Sequence, residues 1–112
     1  MLKPLDFTKN FNEEVAKAID TTLSEILGEH VVEVLYYHLK DRYGVVLDEI
    51  PYRLPTVIRV LEEMFGVTGT KAIGVDVAKK LYSQLGIKFY AHLNYTFQDY
   101  IDEVQKILLN PK

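Results

Sequence analysis

The 112 residues carry thirteen Lys and Arg against sixteen Asp and Glu, a net charge of −3, and 48% of them are hydrophobic. That is one soluble globular domain, long enough to bury about two-thirds of its unfolded surface without a metal or disulfide staple. The absence of cysteine excludes disulfides, thiolate metal sites and cysteine nucleophiles. The acidic balance gives no general pull toward nucleic acid, and no apolar run approaches the roughly 20 residues of a membrane helix.

Residues 1–6 read as a flexible tail, because Pro4 opposes an early helix and no apolar core of a signal peptide is present. A first helix is predicted from about Phe11 to Leu27, with Phe11, Val15, Ile19, Leu23 and Ile26 as its stripe and Asn10 with Glu13 as a capping box. Gly28 ends it. The second helix, about Glu29 to Tyr43, is apolar on nearly every face through Val31, Val32, Val34, Leu35, Tyr36, Tyr37 and Leu39. Such a helix is either the centre of a core or half of a subunit interface.

A connection over 44–54 follows, plugged into the core by Leu47 and Ile50. Pro55 then suits the first turn of a third helix, with Val57, Val60, Leu61, Met64 and Phe65 buried up to Gly66. The fourth helix opens at Thr68 or Thr70 and runs to Leu85 on Ile73, Val77 and Leu81. Gly74 inside it weakens the helix and so implies close packing against a neighbour. Residues Ile87 to Leu93 alternate apolar and polar, and read as a hydrophobic loop or as an edge that pairs across a dimer. Thr96 with Asp99 caps a last helix carrying Phe97, Ile101, Val104 and Leu108. The expectation is a single all-α domain over residues 1–112, a compact bundle of about five helices.

Little in the chain speaks for catalysis. Ser24 and Ser83 lie inside predicted helices, away from any strand–turn–helix elbow. His30 with Glu33, and His38 with Asp41, share helix faces, but a Glu-x-x-His pair on two helices and an H-E-x-x-H motif are both missing. His92 reads as a loop residue. Gly66-Val67-Thr68-Gly69-Thr70-Lys71 has the wrong spacing and context for a P-loop. No catalytic residue, metal ligand or cofactor is therefore assigned.

Residues 61–73 are also similar to the turn of a bacterial or archaeal helix-turn-helix repressor. An apolar pair precedes glycine, valine follows it, and a hydroxyl residue opens the second helix. This gives an alternative function, DNA binding through about residues 57–85 with Thr68, Thr70 and Lys71 as contacts. Glu62 stands where such repressors need a small residue. The charge split, −4 for residues 1–56 and +1 for 57–112, is weak as an electrostatic footprint. Helix–turn–helix geometry used for packing alone is favoured.

Residues 22–29, 34–39 and 43–51 (ending in Asp48-Glu49-Ile50-Pro51) resemble a small archaeal helical family, the Nitrososphaera output domain group. Leu61-Glu62-Glu63-Met64-Phe65-Gly66 and Leu81-Tyr82-Ser83-Gln84-Leu85-Gly86 extend the likeness, which covers about residues 19–90. It departs after Phe65, where Thr70-Lys71 intervenes before Ala72. The resemblance carries no catalytic motif, and implies a non-enzymatic regulatory or interaction role in an archaeal cytoplasm, as a stand-alone protein or a signalling output domain.

The residues themselves point the same way. The apolar second helix, the alternating segment at 87–93 and the eight tyrosines imply a module that binds a protein partner, first of all a second copy of itself. Val32, Tyr36, Tyr37, Phe89 and Tyr90 are the candidate interface.

Overall fold

The computed structural model describes residues 4–109, with side chains from residue 10 onward. Helix α1 (Pro4–Leu27) starts at Pro4 rather than near Phe11. A proline is at home in a first turn, where its missing N–H has no intrahelical partner to lose. The expected tail is thus already helical at 4–6, and its residues 1–3 lie outside the described residues. Asn10 and Glu13 fall inside α1 rather than at its start.

One face of α1 is buried through Phe11, Val15, Ala18, Ile19, Thr22 and Leu23. Ile26, expected in this stripe, is exposed instead. The stripe turns with the 3.6-residue period, and small Ala18 and Thr22 are among its most buried members.

Helix α2 (Glu29–Tyr43) follows after Gly28 alone, whose φ of 84° and ψ of 156° reverse the chain in one residue. A 3-10 turn (Leu47–Tyr52) comes next, and Ile50 is its buried plug. Leu47 points outward instead. A 3-10 turn eclipses side chains three apart, yet of the pair Leu47 and Ile50 only Ile50 is buried. The Glu49 carboxylate accepts the Val46 N–H at 3.2 Å and anchors that entrance.

Helix α3 (Leu54–Gln84) carries proline in its first turn and consists of two arms, 54–65 and 67–84, that meet at Gly66. There φ is 78° and ψ 169°, nearly the backbone of Gly28. The arms are the expected third and fourth helices, joined by a single residue. Val57, Val60, Leu61, Ile73, Val77, Ala78, Leu81 and Tyr82 face the core, whereas Met64 is exposed.

Residues 85–96 form a strap without regular structure, and no strand occurs among the described residues. Helix α4 (Phe97–Leu109) closes the chain. Its cap is reciprocal: the Thr96 N–H donates to Asp99 Oδ2 at 2.9 Å, and the Asp99 N–H to Thr96 Oγ1 at 3.1 Å. This is the capping box read from the sequence.

The assembly is all-α. α1 is its hub, packed on α2, the 3-10 turn and α3, while α4 docks on α3. Gly74 marks that last contact, since a Cβ there would stand 3.1 Å from the Phe97 Cβ. The helix-weakening glycine is explained by this approach.

Candidate functional site

Three features stand apart from the packed core, and the first is the outer face of α2. Val32, Leu35 and Leu39 are buried against the bundle, so Val32 belongs to the core and is withdrawn from the candidate interface. Tyr36 is half-buried, and its hydroxyl donates to Asp20 Oδ1 on α1 at 2.7 Å. Burial, followed by this hydrogen bond to a carboxylate, pushes the Tyr36 phenol well above its ordinary range. Of the predicted residues on this helix, only Tyr37 is free to meet a partner, with 69% of its surface exposed. Val31 and Val34 stand beside it at 43% and 64%. With the β-branched residues spread round the helix, periodicity alone could not tell which valine faced in.

The second feature is an aromatic cluster that the strap lays against α3 and α4. Tyr82 and Tyr100 are fully buried and meet Phe89 at ring distances of 5.2 and 5.3 Å. Phe89 is therefore an internal anchor, while Tyr90 is exposed with Lys88 Nζ 5.4 Å from its ring. Glu103 gathers the polar ends: the Tyr82 hydroxyl donates to its Oε1 at 2.8 Å and the Tyr95 hydroxyl to its Oε2 at 2.9 Å. His92 stacks on Tyr95 at 4.1 Å and sets Nε2 3.6 Å from the same carboxylate. Its backbone N–H donates to the Tyr100 hydroxyl at 2.9 Å. Burial, then the hydrogen bond to Glu103, raises the Tyr82 phenol; the same bond is the main cause for Tyr95. Both are held neutral as donors. A general base or a nucleophile needs the opposite poise, so this arrangement is a brace that ties the strap to α4.

The third feature is an apolar pocket of about 220 Å³, walled by α1, both arms of α3 and residues 94–97. Ile19 and Leu23 form one wall, Val57, Ile58 and Leu61 the second, and Ile73 and Val77 the third. Of the residues considered for DNA contact, Thr70 and Lys71 line this pocket and Thr68 does not. Thr70 is buried and lines the pocket; Lys71 is exposed, with its Nζ donating to the Leu93 carbonyl at 3.2 Å; Thr68 is exposed. A helix-turn-helix spaces its helices by a turn of three or four residues, whereas the arms here are separated by Gly66 alone.

No protein-family model, curated protein or solved structure matches this chain.

Function must accordingly be argued from these three features. Among the described residues no group of three His, Cys, Asp or Glu side chains converges on a point that could hold a metal ion. His30 is exposed on α2, and His38 lies edge-on to Tyr43 at 5.9 Å. No helix among the described residues is long and apolar enough to cross a membrane.

Sequence reasoning missed Val31 and Val34 as the outward pair, Glu103 as the hub of the brace, and the pocket. No pattern within α2 singles out the first, because apolar residues occur on nearly every face of that helix. The other two are assembled from residues distant in the chain, and local pattern carries no trace of them.

Proposed function

We propose that this chain is a non-enzymatic interaction module that pairs with a second copy of itself through the outer face of α2. The observation that carries the reading is the exposure of Val31, Val34 and Tyr37 along one side of that helix. Apolar side chains grouped on a helix face, rather than scattered singly, mark contact surfaces.

Charge supports an antiparallel pairing. Glu33 and Lys40 border the stripe on the same flank, both exposed. When two copies of α2 run in opposite directions about a two-fold axis between Val34 and Tyr37, Glu33 of one copy lies near Lys40 of the other, twice over. Tyr37 of each copy then covers Val34 of the other, and such a two-fold contact is self-complementary by construction. The likeness of residues 19–90 to the Nitrososphaera output domain group supports a regulatory use of this pairing in an archaeal cytoplasm.

Sedimentation equilibrium of the intact chain and of Val34→Lys tests the reading. Position 34 is mostly exposed, so the variant keeps the helical fold by circular dichroism while placing two ammonium groups in the pair. The expected result is a dimer for the parent chain and at least about a tenfold weaker association for the variant. A parent chain that stays monomeric at about 100 µM, a concentration at which even a weak specific dimer is populated, overturns the proposal.

A further inference from the structure

We infer that the apolar pocket between α1 and the two arms of α3 is a binding site for a small neutral molecule, mostly hydrocarbon, with one hydrogen-bonding group. The inference is independent of pairing through α2, which lies outside the pocket lining.

Size comes first. Close-packed interiors leave few voids larger than a water molecule, and this partly open pocket measures about 220 Å³. An apolar cavity of about 150 Å³ stays dry and takes up benzene. Scaled in proportion, the space here corresponds to about nine carbon atoms, the size of a small fused two-ring molecule.

Polarity narrows the class. The walls are valine, leucine and isoleucine from three helical segments, so the body of the ligand is apolar. Thr70 lines the pocket at 8% exposure, and its covered Oγ1 has no hydrogen-bond partner. A buried hydroxyl left unmatched costs free energy, and a ligand group that donates to it or accepts from it removes that cost. The charged residues of the lining, Glu62 and Lys71, carry opposite signs. They leave the lining without net charge, and Lys71 is already engaged with the Leu93 carbonyl at 3.2 Å. Neither an anion nor a cation is favoured, which leaves a neutral ligand.

Closure is built into the strap. Asn94, Tyr95 and Thr96 form the fourth wall. Tyr95 is fastened to Glu103 at 2.9 Å and Thr96 belongs to the α4 cap. The lid is therefore held from both sides: by Lys71 through the carbonyl of Leu93 and by α4 through Glu103. The pocket is partly open to solvent beside this wall, so a ligand enters without breaking the core.

The probes are naphthalene and 1-naphthol, which differ by one hydroxyl, titrated into the methyl-labelled full chain and followed by nuclear magnetic resonance. Both are expected to move the methyl signals of Val57, Leu61, Ile73 and Val77 more than those of Val31 and Val34 on α2. Thr70→Val keeps the shape of the side chain and removes the hydroxyl. It is expected to weaken 1-naphthol about fivefold, the worth of one neutral hydrogen bond, and to leave naphthalene unchanged. Val77→Phe fills the space and is expected to abolish both responses; if it fails to fold, the Thr70→Val comparison decides alone. Absence of any methyl response to either probe overturns the inference. So does equal weakening of the two probes by Thr70→Val, or a response centred on α2.

Discussion

Replacing Gly66 by alanine isolates one backbone effect. With φ at 78° and ψ at 169°, the residue sits in a region that glycine alone occupies freely and that costs any other residue about 1–3 kcal/mol. A Cβ at this position meets nothing within 4 Å, so no neighbour adds to the cost. Alanine also has less freedom to lose on folding, which offsets at most about 1 kcal/mol. The expected net loss is about 1–2 kcal/mol. With a urea dependence of about 1–3 kcal/mol per molar for a small protein, the unfolding midpoint falls by roughly 1 M. Far-ultraviolet circular dichroism across a urea titration reads this directly, and the slope of the transition should not change. Asparagine supplies the control. It tolerates the left-handed helical region of Gly44, φ 66° and ψ 23°, but not the extended positive-φ backbone of Gly66. Gly44→Asn is therefore expected to cost less than about 1 kcal/mol, and Gly66→Asn as much as alanine does. A Gly66→Ala midpoint equal to that of the parent chain refutes the argument. A Gly44→Asn loss as large as that of Gly66→Asn does the same.

Two further substitutions separate helix propensity from packing. Gly69→Ala adds a Cβ 3.4 Å from the Phe65 Cβ, an ordinary contact, and should raise stability by up to about 1 kcal/mol; Gly74→Ala meets the Phe97 Cβ at 3.1 Å, an atom that no rotamer change can move, and should lower stability by about 1 kcal/mol despite the same propensity gain, both read as urea midpoints. Tyr82→Phe removes the donor to Glu103 and should cost about 2 kcal/mol at neutral pH, the range for a hydrogen bond to a charged group. The same variant should unfold less steeply in alkali. Tyr36 and Tyr82 are both held above their ordinary range, so their contribution is complete below about pH 10. Above it the unfolded chain loses phenol protons first and stability falls, by at most about 1.4 kcal/mol per pH unit for each tyrosine. A stability curve for the parent chain that stays flat from pH 9 to pH 11 contradicts this, as pH values bracketing the phenol range.

What the sequence revealed depended on how far apart the determinants lay. Glycines that end helices and the Thr96–Asp99 cap are written within a few residues of the structure they specify, and the order of helices followed from them. The entry at Pro4 was misread because proline both opposes a helix interior and suits a first turn, and nothing upstream decides between the two. Val32 was misplaced for a different reason. On a helix with valine at 31, 32 and 34, every rotation buries something apolar, so only the docking of α2 on α1 selects Val32, Leu35 and Leu39. The brace needed Tyr82, Tyr95 and Glu103 to meet from three segments, and the pocket needed four walls to stop short of one another. Neither has a local signature.

Gly28 and Gly66 join helices with no residue to spare, and each following helix inherits its rotation directly from the one before. One residue inserted or deleted at either corner turns everything downstream by about 100° about the helix axis. A deletion just after Gly66 would set Ile73 and Val77 in the exposed places of Ala72 and Asp76 and Lys79 in the buried place of Ala78. Length variation should therefore be absent at these two positions and concentrated in the strap, where added residues loop into water without changing the angular setting of any helix.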